Sequence, residues 1–170
     1  MATPTFTDAI ALLKADHRKV EDLFEQFEKA SSASKKRTLA QEICTELKIH
    51  TTIEEELFYP AFRGVIEDHT LDEAYVEHDG AKLLVNDIEA GSPGDDFYDA
   101  KVKVLSEEIK HHVREEERSG DGMFAQCRKT AVDLVALRDA MMSRKQELLA
   151  TAKKGALPPA QTRTVNMVAA

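Results

Sequence analysis

The chain is predicted to be all-α: an up-down-up-down four-helix bundle with an additional C-terminal helix and a flexible tail. Three observations carry this. Ala, Leu, Glu and Lys dominate, while only 6% of residues are aromatic and tryptophan is absent. No segment alternates β-branched with polar residues. Long segments of helical period are separated by short connections, which favours antiparallel neighbours.

Punctuation sets the elements in order. The first helix is expected from Asp8 to Ala30, with Thr7 as N-cap, ending in "SSAS". The second begins near Ser34 or Lys35 and runs to Phe58, where Pro60 must kink or restart it. The third opens at "TLDE", in which Thr70 and Glu73 have capping-box spacing, and stops at "AGSPG". The fourth spans Asp95 to Arg118 and breaks at "SGDG"; the fifth spans Met123 to Ala152, amphipathic through Phe124, Cys127, Ala131, Leu134 and Leu137. Residues 1–152 thus read as one helical domain. Residues 153–170, with two adjacent prolines and no period, read as the tail. There is a weak internal likeness between the segments around the second and fourth helices.

Bulk properties exclude several function classes. At 170 residues the chain suits one domain with a proper core. Thirty-one acidic residues against 23 basic ones give a net charge of −8, the wrong sign for a nucleic-acid binder. No run approaches the length of apolar sequence that a membrane span requires, and "MATPTFTDAI" lacks the features of a secretion signal. The expectation is therefore a cytoplasmic protein with Cys44 and Cys127 as free thiols.

The apolar stripes hold unexpected residues. In the second helix the row is Ile43, Leu47, His50, Glu54, Leu57, Ala61; in the fourth it is Tyr98, Val102, Leu105, Ile109, His112, Glu116. The first helix gives Ile10, Leu13, His17, Val20, Phe24, Phe27, and the third Leu71, Tyr75, His78, Ala81, Val85, Ile88. Each core stripe carries one imidazole. By the same phasing His111, Glu55, Glu56, Glu115 and Glu117 fall off the rows and face outward, and His69 lies in a surface loop.

One histidine in an apolar stripe is usually a hydrogen-bonded core residue. A glutamate there is harder to accommodate, because an ionised carboxylate in low dielectric needs a cation. No arginine lies in these rows, and the only lysine near one is Lys82. Bound metal would turn the cost of all six buried groups into ligation. His17, His50, Glu54, His78, His112 and Glu116 are nitrogen and oxygen donors without thiolate, which suits iron, manganese or zinc. Six are too many for one tetrahedral zinc and fit two metals sharing carboxylates.

The motifs "DHRKVEDLF", "HTTIEEELFYPAF", "EHDGAKLL" and "HHVREEE" resemble the hemerythrin-like family, or HHE cation-binding domain, over residues 8 to 137. The resemblance implies a four-helix bundle around a non-haem centre of two iron ions, oxo- or hydroxo-bridged. His17 and His50 would hold one iron, His78 and His112 the other, with Glu54 and Glu116 bridging. Two departures stand out. Oxygen carriers of the family bring a second histidine one turn after the first on the third helix; here that position is Lys82. A "RSGDG" insertion then leads to "MFAQC", where the family has Phe-Pro.

The first departure leaves one iron short of a protein donor. Glu21, about 40° round the face from His17, and Tyr75, three residues before His78, are the candidates for an additional ligand or a group behind the ligands. The resemblance implies reaction with small molecules: hydrogen peroxide, dioxygen or nitric oxide; the acidic charge balance and the lack of a long apolar run leave no nucleic acid or membrane among the expected partners. Peroxide disproportionation is the leading expectation. The alternative is a non-catalytic iron, oxygen or nitric-oxide binding, sensing or iron-handling protein. A structural zinc bundle ranks below both.

Overall fold

Side-chain capping explains where the chain turns helical. The structure, a computed structural model, describes residues 5–166; the outer ends of the N-terminal stretch and of the tail lie outside them. α1 (Ala9–Lys29) is capped by Asp8, not Thr7: the Asp8 carboxylate accepts the Ala11 N–H at 2.9 Å. α2 (Ala33–Ile53) starts slightly before the expected position because the Ser32 hydroxyl takes the Lys35 N–H.

A π-helical turn, Glu54–Phe58, follows α2 and leads into the short α3 (Tyr59–Phe62). The Tyr59 N–H reaches back five residues to the Glu54 carbonyl. Pro60 has no N–H to give, so the regular ladder is already interrupted there.

α4 (Asp68–Ala90) begins ahead of the expected Thr70 cap, with Asp68 in its first turn, where a carboxylate suits the helix dipole. α5 (Tyr98–Glu117) begins later than Asp95. The Asp95 carboxylate instead accepts the Ser92 N–H at 2.7 Å, and Phe97 turns left-handed at φ 66°. The expected fifth helix is broken into α6 (Met123–Cys127) and α7 (Leu134–Lys154). Asp133 is the reason: its carboxylate takes the N–H groups of Val135 and Ala136, both at 3.0 Å, and so starts a new helix.

α1, α2, α4 and α5 form the bundle in that cyclic order, each touching the next; α7 lies against α1 and α2, and α6 against α5. Among the described residues there is no strand, and no helix is long and apolar enough to cross a membrane. Cys44 and Cys127 are both free and buried, and burial pushes each thiol up to about 12.

The core divides into two apolar layers. One holds Val20, Phe24, Leu47, Val85, Leu105 and Ile109; the other holds Leu13, Ile53, Phe58, Phe62, Leu71 and Phe124. Between them the stripes carry their histidines and glutamates. The row on the second helix holds as far as Glu54. Beyond it, Phe58, Tyr59 and Phe62 are fully buried in place of Leu57 and Ala61. One extra residue in the turn shifts the face by about 100°.

The segment after α7 departs from the expected flexible tail. Its backbone is anchored: the Asn86 amide donates to the Ala160 carbonyl at 2.9 Å and accepts its N–H at 2.8 Å, and Lys48 donates to the Leu157 carbonyl at 3.2 Å. Composition gives no sign of these partners, which lie on distant helices.

Candidate metal centre

α1 contributes His17, α2 His50, α4 His78 and α5 His112, each facing inward because it sits in register with an apolar stripe. Glu54 opens the π turn one helical turn after His50, and Glu116 lies one turn after His112. All six are buried, Glu54 completely.

The imidazoles meet in two pairs of nearly the same shape. His17 Nε2 and His50 Nε2 are 3.2 Å apart, with ring centroids at 4.8 Å and planes at 59°. His78 Nε2 and His112 Nε2 are likewise 3.2 Å apart, with centroids at 4.7 Å and the same 59°. Each carboxylate touches both pairs. Glu54 Oε2 lies 3.2 Å from His50 Nε2 and 3.3 Å from His78 Nε2. Glu116 lies 3.3 Å from His17 Nε2 through Oε2 and 3.4 Å from His112 Nε2 through Oε1.

Behind each imidazole stands a carboxylate facing Nδ1. Glu117 faces His17 at 2.7 Å, Glu55 faces His78 at 3.0 Å and Glu77 faces His112 at 2.6 Å. Asp16 stands at 3.6 Å from His50, an ion-pair rather than a hydrogen-bond distance, and is also paired with Lys145. Each carboxylate serves the imidazole of the next helix around the bundle: α1 to α2, the π turn after α2 to α4, α4 to α5, and α5 back to α1. With Nδ1–H of His17, His78 and His112 donating outward, their Nε2 lone pairs are left to converge inward.

This corrects the outward assignment of two glutamates. Glu55 is buried and Glu117 partly so, whereas His111 and His69 are exposed as phased and Glu115 is half-buried. The signal was in the sequence: each of the four carboxylates is the immediate neighbour of a stripe donor, in "DH", "EE", "EH" and "EE". Lys82 is also buried; its ammonium lies 2.6 Å from Glu55 and 3.2 Å from Asp79.

Neither expected extra donor joins the cluster. Glu21 pairs with Arg18 at 3.2 Å, and the Tyr75 hydroxyl donates to the Glu55 backbone carbonyl at 3.4 Å. The phenol that does reach the centre is Tyr59. Fully buried, it donates to Glu116 Oε1 at 3.0 Å and lies 3.2 Å from His78 Nε2. On the other side the Phe124 ring stacks on His17 at 5.9 Å.

The donor set fits a pair of cations. His17, His50, Glu54 and Glu116 present ligand atoms within 4.8 Å of one another, as do Glu54, His78 and His112. Such spacing approaches what a shared ion with ~2.1 Å bonds requires. Glu54 Oε1 and Glu116 Oε2 are buried without a hydrogen-bond partner. An ionised carboxylate in that position calls for a cation.

The profile described as the hemerythrin HHE cation binding domain matches residues 8–119, from the cap of α1 to just past α5. The chain belongs to the hemerythrin HHE family. Another HHE-domain protein, from Mycobacterium kansasii, has a crystal structure that shares the fold with a TM-score of 0.72 at 22% identity, over 88% of this chain and 91% of that one. A curated protein named DNA nickase, from Nostoc sp., is 29% identical over 152 residues, which is 89% of this chain. This HHE chain spans only 40% of that relative's length.

Protonation of the metal-free HHE domain follows from the same contacts. Burial alone would lower His50, but the Glu54 and Asp16 carboxylates outweigh it and push the imidazole up to about 10. Burial and the Glu116 charge would raise Glu54, but His50 and His78 hold it at about 2. The fold thus favours protonated His50. That contribution is complete below the ordinary value of 6.5 and is lost as pH rises through about 10. Metal-free protein is expected to show a Tm that falls from pH 7 to pH 10; a Tm that climbs across that window contradicts the assignment.

Proposed function

We propose that the centre holds two iron ions and disproportionates hydrogen peroxide, with His17 and His50 on one ion, His78 and His112 on the other, and Glu54 and Glu116 shared. The observation that carries this reading is the pair of buried carboxylates, each contacting one imidazole of each pair and each retaining an oxygen without a hydrogen-bond partner. Iron held there would supply the reversible electron transfer that disproportionation needs, in which one hydrogen peroxide is oxidised to dioxygen and a second is reduced to two waters.

The chain's own residues do the rest. Glu117, Glu55 and Glu77 hold His17, His78 and His112 in the Nε2-inward tautomer and keep them electron-rich, while Asp16 stands behind His50 at ion-pair distance. Tyr59 Oη keeps its proton, because burial and the Glu116 and Glu54 charges raise the phenol well above its ordinary value. It is therefore a neutral donor positioned at the centre. Phe124, stacked on His17 and backed by Phe58, walls one side of the site with apolar surface. A cavity of about 210 Å³ opens between α4, α5 and the connection to α6, with His112 and Glu116 in its lining. Glu73, Glu77, Glu115 and Asp121 also line it. Acidic walls repel anions and pass small neutral molecules such as peroxide.

A second reading, iron or oxygen sensing or iron handling without turnover, is supported by donors drawn from four helices, which couples metal occupancy to the stability of the whole bundle. The nickase name offers a third, but a net charge of −8 disfavours a nucleic-acid substrate for this chain.

The experiment is metal analysis of protein made in iron-replete medium, followed by oxygen-electrode measurement with added peroxide. About two irons per chain are expected on this ligand count, together with steady oxygen evolution. His111→Ala is expected to keep the metal and His112→Ala to lose it. Oxygen taken up by the reduced protein and recovered on degassing, with no peroxide turnover, would return the protein to the carriers or sensors. Folded protein that takes up no metal ends the reading altogether.

A further inference from the structure

We infer that Arg163 is a positioning residue of the metal centre, and that docking of segment 155–166 and occupancy of the His78/His112 half favour one another. The inference rests on the two-metal reading above.

The segment grips both neighbours of His78. Asp79, the next residue in the chain, is fully buried. Its carboxylate accepts the backbone N–H groups of Arg163 and Val165, each at 2.9 Å, that of Thr164, and the Thr164 hydroxyl at 2.7 Å. Glu55, which faces His78 Nδ1 through Oε1, is held at its other oxygen by Arg163 Nε at 2.6 Å. Lys82 meets Oε1 from the side. Arg163 is thus the group that fixes Oε2, and with it the orientation of the carboxylate against the imidazole.

The other outer carboxylates are held differently. Asp16 meets Lys145 on α7, Glu117 meets Arg18 on α1, and Glu77 meets His111 on α5. These partners are built into long helices. Arg163 lies on a segment with no internal ladder, secured by side chains of α2 and α4, and such segments open at low free-energy cost. When it leaves, Asp79 loses four donors and Glu55 Oε2 loses its cation, in surroundings that penalise bare carboxylates. Losing the carboxylate contact behind a ligating imidazole typically weakens metal affinity ~10–100-fold, and Arg163 acts by holding that contact in place. By linkage, metal at His78 and His112 must strengthen the docking by the same factor.

The test uses full-length protein with Zn²⁺ as a redox-silent probe, titrated against a competing chelator. Wild type is expected to bind two ions. Arg163→Gln is expected to keep one at wild-type affinity and to weaken the other ~10–100-fold. Arg163→Lys, which restores the cation, should recover most of the loss. In wild type, hydrogen exchange at the Arg163, Thr164 and Val165 amides should slow when Zn²⁺ is bound. Unchanged affinities in Arg163→Gln, or exchange at those amides indifferent to metal, would overturn the inference while leaving the two-metal reading in place. A wild type that binds no Zn²⁺ overturns both. The Arg163 side chain is 46% exposed, so its replacement leaves the folded core intact, and unaltered helix content confirms that.

Discussion

Glu54→Ala is expected to abolish binding of both metal ions, with affinity reduced more than ~100-fold, beyond the loss typical of an outer partner. The side chain is completely buried, and one of its oxygens lies within 3.3 Å of an imidazole from each pair. Among the described residues the neighbouring carboxylate, Glu55, cannot substitute, because it is already committed to His78, Lys82 and Arg163. Glu55→Ala should be milder, in the ~10–100-fold range, and confined to the His78/His112 half. The check is the metal-to-protein ratio after gel filtration. Glu54→Ala protein that still carries two ions would show that the carboxylate is not shared.

Phe58→Ala is expected to cost about 3–5 kcal/mol of stability, the range for a large aromatic removed from a packed core. Phe58 is fully buried, and its ring lies 4.8 Å from that of Phe62 and 5.7 Å from that of Phe124. Phe124 in turn stacks on His17. The truncation opens a cavity next to Phe124, and a shift of Phe124 into it removes the ring stacked on His17, so metal occupancy should fall along with stability. Urea unfolding of metal-free protein isolates the packing loss. A change below ~1 kcal/mol would mean that the site collapses freely around the truncation.

The uninterrupted helices were legible residue by residue. The α1 and α5 stripes are buried as phased, and the choice of His112 over His111 and Glu116 over Glu115 agrees with their burial. Periodicity works there because a regular helix repeats its geometry. It failed after Glu54 because the π turn changes the repeat, and Tyr59 was missed for that reason alone. Pro60 marked the place without revealing the direction of the shift. The outer carboxylates were misread by treating charge as a sign of exposure. Glu55 is buried because Lys82 and Arg163 neutralise it, and one of those cations lies more than a hundred residues away. The anchored segment 155–166 was illegible for the same reason: its partners, Asn86 and Asp79, stand on another helix.

The outer carboxylates have a consequence for how the chain chooses between alternative bundles. Four amphipathic helices joined by short connections can close with either handedness, and apolar stripes alone discriminate weakly between the two arrangements. Here Asp16 reaches His50, Glu55 reaches His78, Glu77 reaches His112 and Glu117 reaches His17, always in the same rotational sense. In the mirror arrangement each carboxylate would stand on the wrong flank of its helix, leaving buried acids and imidazoles without their partners. The polar layer therefore selects the handedness of the bundle, and it does so through the chain's own side chains before any metal is bound.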